Sequence, residues 1–253
     1  PGVCAELDPT KISEYLLFRQ VAGPQTLCYG VQRVLPAESI RFDLVSKTVR
    51  KKIYWKPTVH DIVEDGHEEA ILQKLEQSVD EHLQADVPVG IQLSGGVDSS
   101  LVVALASRHK KDLRTYSIGL VDDEWNEFRY SRMVADQYKT NHTELTFDEQ
   151  DFCAALPMLT YHHDEPISHS HSVPMYLLAK RARQDVKVLL SGEGADEVFG
   201  GYKRYRKLFE KVESLTEDDI LLSNAYGNSE AIDRILAVDV PHCIGEYRRS
   251  IIQ

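Results

Sequence analysis

Two short stretches concentrate the residues able to do chemistry. The first, Ser94-Gly95-Gly96-Val97-Asp98-Ser99-Ser100, follows the apolar run 89–93 and leads into a second apolar run. Adjacent glycines let the backbone turn sharply and approach a ligand closely. A helix starting here would aim its unpaired N–H groups and partial positive charge at the loop. That is an anion site suited to phosphate, to which Ser94, Ser99 and Ser100 add hydroxyl donors. Asp98 would repel such a ligand unless a cation sat between them. Mg²⁺ takes one or two carboxylates together with phosphate oxygens, so it fits the position. The stretch therefore reads as the site of a metal–nucleotide. It is not a Walker A loop, because no Gly-Lys-Ser/Thr follows. A plain serine-capped turn would gain nothing from paired glycines.

The second stretch is "SGEGADEVFGG" (191–201), again after an apolar run. Ser191 and Gly192 can offer backbone groups to the nucleotide. Glu193, Asp196 and Glu197 crowd three acids into five residues, a repulsive arrangement unless a cation relieves it. A charged helix start favoured by the dipole is the blander reading. We expect Asp98 and Asp196 to share one Mg²⁺ and Glu193 to stand near a reacting carboxylate, making Glu193 and Asp196 the catalytic candidates.

"SGGVDSS" resembles the pyrophosphate loop of the ATP pyrophosphatases, a motif shared by GMP, NAD, argininosuccinate and asparagine synthetases. The second stretch narrows this: it resembles the asparagine synthetase B-type family of glutamine-dependent amidotransferases. "PVGIQLSGGVDSS", "YSIGL" (116–120) and "DEPISHSHSVPMYLLAKRAR" (164–183) match that family, and "EYLLFRQVAGPQTLCYGVQRVLPAESI" is similar to its segment between glutaminase and synthetase domains. The likeness spans nearly residues 6–210. It implies ATP and Mg²⁺ as cofactors, adenine contacts at Leu93 and Ile118, and an acceptor loop with Asp164, Glu165 and Ser172. It also implies a two-step reaction. A carboxylate, aspartate by default, attacks the α-phosphorus of ATP to give acyl-AMP and pyrophosphate, and ammonia then forms the amide. The same adenylation on another acceptor (β-lactam or peptide cyclisation, sugar carboxylate amidation) is the enzymatic alternative. A non-catalytic ATP-binding fragment is the other. The family's glutaminase domain and its C-terminal lysine region find no match here, so the chain reads as a fragment or shortened member. Cys4, with residues ahead of it, is assigned no role, and Lys203 and Arg204 read as solvated. A separate glutaminase domain or subunit and a homodimeric assembly are both compatible with the sequence.

These residues need elements to position them. Residues 12–20 read as a short helix, and the rest of 1–60 alternates apolar and polar residues as small antiparallel strands do. That gives a β-rich linker, the tail of a glutaminase domain, with Tyr54 and Trp55 as packing residues. From 61 to 253 the pattern is that of the synthetase domain. Leu72, Leu75, Val79 and Leu83 recur at helical spacing. Strands "VGIQL", "RTYSIGL", "HTELTF" and "VKVLL" then alternate with helical stretches, one of them near 149–160. Such βαβ units imply an α/β fold with a parallel nucleotide-binding sheet, its ligand at the carboxyl ends of the strands. Residues 203–253 read as helix, with "TEDD" (216–219) as a helix start.

Composition sets outer bounds. The net charge of −11 argues against nucleic acid as partner, since phosphate backbones demand excess Lys and Arg. Cys4, Cys28, Cys153 and Cys243 are too scattered for a zinc site or a disulfide framework and read as reduced thiols. No apolar run approaches a membrane span, so a cytoplasmic protein is expected. "YHHDEPISHSH" (161–171) gathers histidines, but Pro166 interrupts the run, and it reads as a loop bordering the acceptor pocket rather than a metal site.

Overall fold

The computed structural model describes residues 6–58, 67–121, 126–226 and 232. Cys4, Cys243, residues 122–125 and most of the expected helical tail lie outside them. The chain forms two compact units, Pro1–Val63 with Tyr202–Gln253, and Glu64–Gly201.

In the first unit α1 spans Pro9–Phe18, starting before the expected residue 12. Asp8 caps it by accepting from the Thr10 amide at 3.0 Å, and Pro9 occupies a first-turn position where no N–H is needed. Strands β1 (Glu38–Phe42) and β2 (Val49–Ile53) form one antiparallel hairpin, with Phe42 opposite Val49. Two isolated bridges, Leu7 with Cys28 and Gln25 with Gln32, are the rest of the β structure among the described residues of 1–60. Tyr54 and Trp55, expected to pack, are exposed.

The second unit runs α2 (Glu68–Leu83), β3 (Val89–Gln92), α3 (Val97–His109), β4 (Arg114–Leu120), α4 (Phe128–Tyr138), β5 (Asn141–Phe147), α5 (Glu149–His163), α6 (Ser172–Ala182), β6 (Val188–Leu190) and α7 (Ala195–Phe199). Its sheet is parallel with order β5-β4-β3-β6, as the alternation of elements required. The chain steps outward from β3 to β5, then crosses back to place β6 on the other side of β3. The loops after β3 and β6 therefore leave adjacent strands at the switch point, where ligands of such sheets bind.

Side chains alternate across β4, and this sorts the helices. Tyr116 and Ile118 pack with Leu178 and Ala182 of α6. On the opposite side, Ser117 meets Ser131 of α4. Ile91, Leu93, Val103, Leu105 and Ala106 are essentially unexposed and bind β3 to α3. Each of the Ile, Leu and Val side chains stabilises the fold by roughly 1.5–3 kcal/mol. The start of α3, which carries the first glycine loop, thus sits on a closely packed support.

The first unit resumes with α8 (Lys203–Phe209) and α9 (Glu217–Leu222). Thr216 and Asp219 form a reciprocal capping box at the start of α9, as the "TEDD" pattern suggested. Leu221 and Ile232 join Leu17 and Phe18 in this unit's buried cluster. No helix among the described residues is long and apolar enough to cross a membrane.

Candidate active site at the sheet switch point

The first loop is held by its own serines. Ser94 Oγ shares a hydrogen bond with Ser99 Oγ (2.9 Å) and accepts from the Gly96 amide (3.2 Å). Ser100 donates its amide to Gly96 O at 3.0 Å, the first such bond of α3. Gly96 has no capping side chain, so the preceding amides of the helix start face outward as an anion site does. Gly95 sits at φ +89°, and a Cβ there would lie 2.6 Å from the Ser131 amide nitrogen and from Tyr130 Cβ. The first turn of α4 is thus pressed against the loop.

The second loop comes within contact of the first. A Cβ on Gly192 would lie 2.9 Å from both Asp98 Cβ and the Ser99 nitrogen. Only a glycine permits this approach, and it joins the two glycine stretches. Asp98, Ser191, Gly192 and Glu193 border one end of a cleft of about 560 Å³ whose other walls include Val79 and Leu105. Asp196, in the first turn of α7, places its carboxylate against Gly201, whose amide donates to Asp196 O at 3.0 Å.

A second, smaller pocket of about 230 Å³ holds Ser94 and Ile118 together with Ser117, Asn126, Glu127 and Phe147. Leu93 is wholly buried, and its amide donates to Tyr116 O at 2.8 Å. Its side chain belongs to the core. Asp164, at φ +56°, and Glu165 form the turn after α5, while Ser172 begins α6. None of the three borders either cleft; the part of α6 that does is Pro174.

Among the described residues no group of three or more His, Cys, Asp or Glu is arranged to hold a metal. Mg²⁺ on a nucleotide needs only one or two carboxylates beside phosphate oxygens and water. Asp98 lines the cleft where the loops meet, Asp196 on α7 is not among the residues that line it, and both are hard oxygen donors of the kind Mg²⁺ takes.

A polar chain behind the loop went unnoticed in the sequence. His142 Nδ1 lies 2.8 Å from Thr115 Oγ1, and its Nε2 lies 3.0 Å from Ser117 Oγ. Ser131 Oγ donates to Phe128 O at 3.1 Å and toward Ser117 Oγ at 3.4 Å. The only signal available in advance was the run of small polar residues in an otherwise apolar strand. Burial holds the His142 pKa below its ordinary 6.5, and Arg132 adds to this, whereas Glu144 and Asp136 oppose it less strongly. Unfolded chains therefore bind this proton first as pH falls. His142 contributes full stability above about pH 6.5 and loses it progressively below, at no more than about 1.4 kcal/mol per pH unit. Urea unfolding at pH 7.5 and 5.5 should show a smaller drop in His142→Asn than in the unaltered protein. An equal drop in both would remove His142 from the account.

The profile of the family described as asparagine synthase matches residues 70–236, more than half of the chain. The chain belongs to the asparagine synthase family. Within it, a putative glutamine-hydrolysing asparagine synthetase of Mycobacterium tuberculosis is 35% identical over 211 residues, covering 81% of this chain and 32% of that protein. Asparagine synthetase 1 of Bacillus subtilis, also glutamine-hydrolysing, is 33% identical over 218 residues, 83% of this chain and 34% of its own length. The chain spans about a third of the length of these curated relatives. A glutamine-dependent NAD⁺ synthetase of Acinetobacter baumannii, solved with ADP, is similar at a TM-score of 0.40 and 17% identity, over 64% of this chain and 31% of that one. Both glycine stretches fall inside the matched residues.

Proposed function

We propose that the chain carries the synthetase half of an asparagine-forming enzyme. The observation that supports this most directly is the contact of Gly192 with the Asp98–Ser99 turn, which brings the two glycine loops together. ATP lays its phosphates along 94–100, where Ser94, Ser99 and Ser100 and the first amides of α3 bind the oxygens. Its base lies toward Ile118, with backbone contacts from Leu93, Ser191 and Gly192. Asp98 and Asp196 would hold Mg²⁺, which would supply charge neutralisation for the departing pyrophosphate. Glu193 orients the acceptor. The aspartate side-chain carboxylate attacks the α-phosphorus, a P–O bond forms, and the bond to pyrophosphate breaks. Ammonia then attacks the acyl carbon, loses a proton, and displaces AMP to leave asparagine.

Residues 1–60 serve in this reading as the tail of a glutaminase domain and 61–253 as the synthetase domain. The relatives named above are glutamine-hydrolysing, so ammonia is delivered by such a domain or subunit. Asp164, Glu165 and Ser172 approach the acceptor when substrate is present. The protein works in the cytoplasm, and a homodimer fits the reading.

The test is AMP and pyrophosphate release from ATP by the 253-residue chain with aspartate and ammonium chloride, against a panel of other carboxylates. AMP formed in step with asparagine is expected. Release with a different carboxylate moves the acceptor assignment. ATP binding without AMP from any carboxylate overturns the enzymatic reading.

A further inference from the structure

The polar chain behind the first glycine loop reaches that loop at two points. Ser117 lines the smaller pocket together with Ser94 of the loop. Ser131 lies against Gly95, where a Cβ on the glycine would meet its amide nitrogen at 2.6 Å. Both serines are buried, and Ser131 Oγ donates toward Ser117 Oγ at 3.4 Å. His142 holds them from behind, with Nε2 3.0 Å from Ser117 Oγ and Nδ1 2.8 Å from Thr115 Oγ1. Thr115 Oγ1 in turn lies 2.7 Å from Thr140 Oγ1. His142 itself lines neither cleft.

The direction of these bonds assigns the protons. With Ser131 as donor toward Ser117, the Ser117 hydrogen is left for His142 Nε2. A neutral imidazole that accepts at Nε2 carries its proton on Nδ1 and donates there, here to Thr115. Glu144 of the same strand faces the ring, its Oε1 3.7 Å from Nε2. Arg132 and Asp136 face it from α4, and β4 faces it with the hydroxyls of Thr115 and Ser117. Arg132 grips Glu144 by two bonds at 2.7 and 2.6 Å. Burial, the chief influence, holds the His142 pKa below its ordinary 6.5, so the ring is neutral at pH 7.5.

We propose that His142 is a positioning residue for the nucleotide: by accepting from Ser117 it fixes Ser117 and Ser131, and with them the first turn of α4 that shapes the Gly95 turn. A proton added at Nε2 turns that acceptor into a donor. Nε2–H and the Ser117 hydrogen then face each other, Ser117 turns its hydroxyl away, and the support behind the loop loosens. The added charge falls beside Glu144 and is offset there, so it does not draw the phosphates in. Nucleotide affinity therefore falls as His142 takes up its proton. The inference rests on the proposed ATP site and adds to it the residue that sets the loop's shape.

Equilibrium binding of ATP between pH 7.5 and 5 tests this in the unaltered chain and two variants. His142→Gln sets an amide where Nε2 stands and cannot take up a proton. His142→Asn reaches only the Nδ1 position and abandons Ser117. The γ-phosphate of ATP titrates alike in all three and cancels when the proteins are compared. At pH 7.5 His142→Asn should bind ATP about tenfold more weakly than the unaltered chain, and His142→Gln should recover most of that loss. On acidification the unaltered chain should lose about fivefold or more in affinity relative to His142→Gln. A parallel response to pH in those two proteins overturns the inference and leaves the ATP site standing. So does a result in which both variants weaken equally, as a packing role would give, or neither weakens. If a variant folds poorly, the His142 imidazole resonance of the unaltered chain decides, because linkage requires bound nucleotide to lower its pKa by the same factor. A pKa that ATP leaves unmoved overturns the inference. Failure of the unaltered chain to bind ATP at any pH overturns it together with the proposed function.

Discussion

Asp98→Asn and Asp196→Asn are each expected to abolish aspartate-dependent exchange of labelled pyrophosphate into ATP. A loss of roughly 10²–10³-fold or more is anticipated, as for removal of a single preorganised electrostatic group in an active site. Asparagine keeps the size and polarity of aspartate and removes only the charge. At Asp98, in the first turn of α3, that charge also interacts with the helix dipole. Losing this interaction costs about 0.3–1 kcal/mol at an exposed helix start. Asp196 occupies the first turn of the short α7, and its backbone carbonyl bond from Gly201 survives the change. Both variants should therefore melt close to the unaltered protein while exchange disappears. Raising Mg²⁺ should recover part of the activity if one carboxylate remains on the cation. Normal exchange in both variants would show that neither carboxylate serves the phosphates.

Strands β3 and β6 were legible because each is a short apolar run ending in a glycine-rich turn. Val89–Gln92 is buried on both faces, so it reads as continuous apolar sequence rather than as alternation. Both glycine stretches were placed correctly at strand ends for the same reason. The polar chain behind them was not legible. Thr115, Ser117 and His142 meet only because β4 and β5 pair in one register, Thr115 opposite His142, and register between strands 27 residues apart leaves no local trace. The approach of Tyr130 and Ser131 to Gly95 is similar: their helix was recognisable, its contact with the loop was not. In 1–60 the alternation of apolar and polar residues suggested more strand than forms. Among the described residues of that segment only 38–53 closes a hairpin, where Asp43 accepts from the Val45 and Ser46 amides at 3.0 and 2.7 Å and fixes the turn. The helix expected at residue 12 starts at Pro9 because Asp8 is a cap, a role that a sequence window centred on apolar spacing overlooks.

Alanine substitutions at the loop glycines should separate into three outcomes. Gly95→Ala meets two penalties at once. A φ of +89° is unfavourable for any residue with a Cβ, and that Cβ would stand 2.6 Å from backbone in α4, which cannot retreat without moving the helix. Strain and overpacking together should cost roughly 2–5 kcal/mol, lowering the melting temperature and removing nucleotide binding. Gly192→Ala carries no left-handed backbone, so its penalty is the 2.9 Å encounter with Asp98 and Ser99, about 1–3 kcal/mol. The sheet tolerates that, but the two loops must part, and exchange activity should fall at least tenfold in a protein that still melts cooperatively. Gly194→Ala is the control: at φ +95° it is strained, yet nothing lies within 4 Å of the new Cβ. It should lose about 1 kcal/mol of stability and keep most of its exchange. Stability and activity would then fall together at 95, activity before stability at 192, and stability alone at 194. That ordering follows from the loops touching through Gly192. If Gly192→Ala exchanged pyrophosphate as well as Gly194→Ala does, the spacing between the loops would have no bearing on the chemistry.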